Sequence, residues 1–156
     1  MTDEKESTFL VTHAEDDSAV LKDVHAGQVH TLSSNPGLQV DEVVECTVAP
    51  DPPMEVTYQV IEVADRYAVD IEESPEPPTT QEQDIASDQP VGEITKQPRA
   101  GEGEIHVLTV PEETTESAVE DVVEDREATL SRAARLGVER VEVRSAPGVV
   151  SVRYMP

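Results

Sequence analysis

Three histidines and an aspartate fall close enough together to hold one divalent cation: His13, Asp23, His25 and His30. If Ala26 and Gly27 close a two-residue hairpin, His25 faces Gln28 and Asp23 faces His30. Side chains alternate along a strand, so Asp23, His25, Gln28 and His30 then project from one face. Two imidazoles and a carboxylate suffice for zinc or another divalent metal, and His13 on the neighbouring strand can add a nitrogen. The set depends on register, because a slip of one residue scatters it, and its spacing fits no named metal motif. The competing reading is a polar hairpin surface with an Asp–His hydrogen bond.

A second group is cationic. Arg140, Arg144 and Arg153 fall on the outward positions of a C-terminal hairpin, opposite Val141, Val143, Val150, Val152 and Tyr154. Lys96 and Arg99 lie in or beside a glycine-containing loop, and residues 77–156 hold eight of the eleven basic residues. Such a patch suits a phosphate or carboxylate partner. The alternative is a solvated ladder in which these arginines pair with Glu139, Glu142 and nearby acids.

Other reactive types carry less. Cys46 sits between Val44 and Val48 on an apolar strand face, where a thiol is inert, and no base lies near it in sequence. It is the only cysteine, which excludes an intramolecular disulfide and a cysteine-based zinc cluster. Gly101-Glu102-Gly103 is too short for a phosphate-binding loop, and its acids repel phosphate. Abundant carboxylates offer many acid/base pairs and select none.

The composition explains the surplus. There are 34 Asp and Glu against 11 Lys and Arg, a net charge of −23 at pH 7, and only Lys5, Lys22 and Lys96 are lysines. The acids are scattered singly and in pairs between valine-rich runs, which is the pattern of a folded, salt-adapted protein rather than of a disordered acidic tail. At molar salt the Debye length is about 3 Å, so surface acids barely feel one another. No secretory signal and no apolar run of membrane-spanning length is present, so a soluble cytoplasmic protein away from the membrane is expected. Phe9, Tyr58, Tyr67 and Tyr154 are the only aromatics, too few for a surface that stacks bases.

The elements that must position these residues follow from periodicity. After a frayed start of six or seven residues, β-like alternation predicts strands over 8–14, 18–25, 28–33, 40–49, 55–64 and 67–72. Turn chemistry separates them: Glu15-Asp16-Asp17, Ala26-Gly27, Asn35-Pro36-Gly37 and Asp51-Pro52-Pro53. Short strands joined by short turns predict a small closed barrel over residues 1–74, OB-like or SH3-like. Residues 75–78, with Pro75, Pro77 and Pro78, read as a stiff linker. Residues 79–156 then form an α/β domain: a helix capped by Thr80 with Gln83, strands over 91–97 and 104–110, a helical segment, and a hairpin of 138–144 with 149–154. Arg126 interrupts the helical stripe of Val119, Val122, Val123, Leu130, Ala133 and Ala134, so two helices meeting near Asp125 compete with one long helix, and Gly137 is placed as the left-handed stop. The expected class is α+β, a small β-barrel followed by a helix-covered antiparallel or mixed sheet.

Several stretches carry a resemblance. They are Thr8-Phe-Leu-Val-Thr-His-Ala-Glu, Asp23-Val-His-Ala-Gly-Gln-Val-His-Thr-Leu, Gly101-Glu-Gly-Glu-Ile-His-Val-Leu-Thr-Val-Pro and Arg132-Ala-Ala-Arg-Leu-Gly-Val-Glu-Arg-Val-Glu-Val. Over nearly its whole length the chain resembles a haloarchaeal family of uncharacterised proteins. The resemblance implies lineage and a cytosolic, soluble character, and brings no activity, cofactor or site residue with it. The expected function is a non-catalytic binding or adaptor module for a nucleic acid, a ribonucleoprotein or another protein. A metal-binding protein or metal-dependent enzyme centred on Asp23, His25 and His30 is the alternative, and a structural oligomer is a third. No cofactor is required by any of these residues.

Overall fold

Alternation of apolar and polar residues closes the first part of the chain on itself. Strands β1 (Lys5–Ala14), β2 (Ala19–Asp23), β3 (Val29–Leu32), β4 (Glu42–Pro50) and β5 (Tyr58–Ala68) are hydrogen-bonded in a closed ring, in the order β1-β2-β3-β5-β4. The computed structural model describes residues 4–99 and 101–156. Antiparallel ladders join β1 to β2 and β4, β2 to β3, and β4 to β5, whereas β3 meets β5 in parallel at Leu32 and Tyr58 alone. Phe9, Val11, Leu21, Leu32, Val44 and Val48 fill the interior. Each contributes about 1.5–3 kcal/mol through burial.

Leu10 and Val43 face each other across β1 and β4 on the outer side, yet both are buried. The cover comes from later in the chain: Leu130–Arg135 belong to the same compact unit, and Lys22, opposite Leu10 in register, donates to Ser131. The expected frayed start is shorter than the alternation suggested, since β1 begins at Lys5. The strand expected over 67–72 is divided. Tyr67 and Ala68 end β5, Val69 is buried, and β6 (Asp70–Glu73) joins a second sheet.

That sheet has the order β6-β9-β10-β8-β7, with β7 (Ile94–Pro98), β8 (Glu104–Thr109), β9 (Arg140–Ala146) and β10 (Val149–Met155). It is mixed: β6 runs parallel to β9 and the other pairs are antiparallel. The chain passes from one unit to the other between Val69 and Asp70, and residues 75–78, expected as a linker, follow β6. Helix α1 (Thr80–Ser87) lies against β8 and β10. Its capping box is Thr79 with Glu82, one residue before the expected pair, because Glu82 reaches back to the Thr79 amide at 2.9 Å while Thr79 accepts from Glu82. A 3-10 turn over Glu112–Thr114 leads into α2 (Thr115–Glu124), which packs on β6, β9 and β10. Asp125 breaks the helical run, α3 (Arg126–Leu136) resumes it, and Gly137 ends it at φ 73°.

Candidate functional site

The histidine hairpin turns over four residues, not two. Asp23 N–H donates to the Gln28 carbonyl, so Lys22 pairs with Val29 and Leu21 with His30, a register two residues from the one a two-residue turn would set. The cause is local. The Asp23 carboxylate accepts from the His25 amide at 2.9 Å and the Ala26 amide at 3.0 Å, an Asx-type turn, and Gly27 takes the left-handed conformation at φ 76°. A shift of two leaves Asp23 and His30 on one face, the inner one with Phe9, Leu21 and Leu32. His25, by contrast, leaves the strand and stands exposed on the turn, and His13 is exposed on β1, bonded to Thr12. The four side chains do not converge. Among the described residues no group of three or more His, Cys, Asp or Glu is placed to hold a metal ion.

Asp23 instead anchors the ring. It is 1% exposed, meets Lys5 Nζ at 2.6 Å and accepts from Ser7 at 3.0 Å. Burial pushes its carboxyl up, but Lys5, the two turn amides and Ser7 together outweigh that and hold it well below the usual carboxylate range. His30 is wedged edge-on between Phe9 and Tyr58, with ring centres 5.6 and 4.7 Å away, and its buried Nδ1 has no hydrogen-bond partner. Burial first and Lys5 second lower its pKa, and Asp23 opposes them. Lys5 lies in the stretch that composition predicts to be frayed, yet it opens β1. The even spacing of Lys5, Ser7 and Phe9 is the signal that puts all three on one strand face.

The arginines of the hairpin do share a face, but it is covered. Arg153 pairs with Glu142 and Arg144 with Ser151 across β9 and β10, while Val141, Val143, Val150, Val152 and Tyr154 are buried. The Arg144 and Arg153 side chains are only 14% and 17% exposed. Arg144 binds Glu142 and reaches Glu76 at 3.0 Å, and Arg153 binds Glu142 at 3.1 Å. Ser151 donates to the buried Glu82 of α1 at 3.0 Å, and Arg153 Nε lies 3.8 Å from the same carboxylate. Burial raises the Glu142 pKa, and the two arginines overcome this and depress it. Arg140 is exposed and meets Glu72 at 3.3 Å. Lys96 is exposed on β7, three strands from β9 or about 14 Å away, and in register with His106 and Val152 it takes the opposite face. Arg99 is held by the Glu102 carbonyl in its own loop. The five cations thus form no single patch.

This arrangement separates the arginines by role. Arg153→Gln should cost about 2–3 kcal/mol at molar KCl, because it removes a charged donor from buried Glu142 and the nearby cation from buried Glu82. Arg140→Gln should change stability by less than about 0.5 kcal/mol. Urea unfolding midpoints check both, and equal, negligible shifts would mean that Arg153 is not structural.

The sequence foretells a strand over 55–64 but not the exposure of β5. Residues 61–66 are exposed on both faces of the strand, with Ile61 51% and Val63 41% accessible. Val63 is opposite Cys46, whose side chain belongs to the interior, so even the inner face of β5 meets solvent here. β4 holds one edge, and among the described residues the ladder on the other edge ends at Tyr58. Register shifts around Cys46 and Val48 bend the strand. A cleft of about 430 Å³ opens beside it, lined by Glu6, Thr8, His25, Glu45, Thr47 and Glu62. Cys46 borders this cleft, but burial pushes its thiol up to about 11, so it is protonated and unreactive near neutrality.

A model of a family of unknown function (DUF5812) matches residues 5–145. The chain belongs to this family. The match takes in the whole five-stranded ring and the cleft beside β5. No curated protein and no solved structure matches the chain. Among the described residues no helix is long and apolar enough to cross a membrane.

Proposed function

We propose that this protein is a salt-adapted, cytoplasmic binding module without catalytic activity, and that its partner is another protein. The observation that carries the reading is the segment 61–66 of β5, apolar in part and open on both faces beside a carboxylate-lined cleft. Exposed apolar side chains in a strand that could have been covered mark an interaction surface. The order β1-β2-β3-β5-β4, with antiparallel β1/β4 closure and one parallel β3/β5 register pair, is a Greek key and not a meander. It supports an OB-like over an SH3-like barrel. Fold analogy alone points to an oligonucleotide on such a barrel. The charge argues otherwise: the turn after β1 carries Glu15, Asp16 and Asp17, the β4–β5 loop carries Asp51 and Glu55, and Phe9 is buried. A polyanion finds neither cations nor stacking rings there. The acid excess and lysine scarcity support an origin in an extremely halophilic archaeon.

Affinity capture from an extract of the source organism at molar KCl, with and without nuclease, tests this. A protein retained after nuclease treatment, and lost with Ile61→Ser/Val63→Ser, is the expected result. Recovery that needs intact nucleic acid would favour a nucleic-acid or ribonucleoprotein partner, and recovery indifferent to the double substitution would remove β5 as the surface.

A further inference from the structure

Resting on that reading, we infer that β5 binds its partner by strand addition and that the occupant is an extended segment with alternating basic and apolar side chains. The backbone argument comes first. In an antiparallel pair, successive residues direct their amide and carbonyl groups alternately toward and away from the partner strand. Along 59–65 those facing away from β4 have no ladder opposite them among the described residues, so they form an open template. Natural edge strands are protected by short length, charged side chains, proline, β-bulges or a covering segment. β5 is eleven residues long, carries neither lysine nor proline and exposes Ile61, Val63 and Ala64. Its register shifts leave Ile61 and Ala64 unpaired with β4 and bend the strand without covering its open edge.

Charge then selects the occupant. Glu62 and Asp65 stand on the open segment, Glu45 is paired with Asp65 across β4, and Glu6 and Glu62 line the adjoining cleft. A second copy of this chain, adding its own β5 antiparallel about the Val63–Ala64 centre, would set Glu62 against Asp65 twice and so add two like-charge pairs to the Glu45–Asp65 pair already present. A basic segment meets complementary carboxylates instead. Its apolar side chains fall beside Ile61 and Val63, and a lysine or arginine reaches the cleft between Glu6, Glu45 and Glu62.

The probe is a short fluorescent peptide of alternating lysine and valine, titrated by anisotropy at molar KCl. At that salt general attraction to the net charge is screened, so surviving affinity reports pairing and contact. A second peptide has the same side chains but N-methyl groups on alternate residues, and so cannot pair along one edge. Binding of the first peptide, at least about tenfold weaker binding of the N-methylated one, and slowed amide exchange within 59–65 are expected. Ile61→Asp and, separately, Val63→Thr should each weaken binding while circular dichroism confirms the fold. Equal binding of both peptides, no binding of either, or protection outside β5 would overturn strand addition. Captured host protein that still depends on Ile61 and Val63 would then leave the binding module standing without this mode, so the two failures are distinguishable.

Discussion

Lowering KCl from molar to well below a few tenths molar is expected to loosen or unfold the protein, and restoring molar KCl to refold it. The excess of 34 acids over 11 basic residues has no internal compensation on that scale. At about 0.01 M salt the Debye length is roughly 30 Å, so each surface carboxylate repels most of the others. At molar salt it is about 3 Å, and repulsion between carboxylates that are not in direct contact is screened out. Salt also weakens ion pairs such as Arg140 with Glu72 and Arg66 with Glu42, which acts in the opposite direction. Exposed pairs contribute only about 0–1 kcal/mol each, too little to offset the relief of the net charge. Cation binding to the native surface adds to the effect. Far-UV circular dichroism and thermal midpoints across a KCl series measure it. An unchanged spectrum and midpoint from low to molar KCl would refute salt adaptation.

Asp23→Ala is expected to destabilise the ring by about 3 kcal/mol at molar KCl and neutral pH. The substitution strips Lys5, Ser7 and the His25 and Ala26 amides of a shared acceptor. Against a total stability of about 5–15 kcal/mol that is a large fraction. Acid should act on the same group. Asp23 titrates lower folded than unfolded, so its contribution is complete above the unfolded value near 3.9 and is lost as pH falls below it toward the folded pKa. His30 is also depressed, so the unfolded chain takes up its proton first, and stability begins to fall as pH drops below about 6.5. Both groups make the ring acid-labile. Urea unfolding of wild type and Asp23→Ala between neutral and acid pH resolves them, with a gap between the two proteins that narrows at low pH. Were Asp23 a poised metal ligand and not an anchor, the substitution would leave stability nearly unchanged and abolish metal uptake instead.

Much of this molecule is legible in the order of its residues because strand alternation and turn chemistry are local. The positions of Phe9, Val11, Leu21 and Leu32 place the interior of the ring, Asn35-Pro36-Gly37 lies in the connection between β3 and β4, and Asp125 with Gly137 bounds α3. The net charge, the shared face of Arg140, Arg144 and Arg153, and the inward Cys46 need nothing beyond composition and period two. Tertiary structure decided what those faces meet. Register in the histidine hairpin turned on one carboxylate accepting two turn amides, which took His25 off the strand to solvent and set His30 opposite Leu21 instead of Asp23. Glu76 and Glu82, distant in sequence from β9 and β10, closed over arginines whose spacing alone read as outward. Strand β5 has ordinary alternating residues, and its exposure arises because β3 is too short to follow it past Tyr58. Period and propensity act between neighbours along the chain, whereas the pairing of an edge and the cover of a face depend on elements brought together only when the chain has folded.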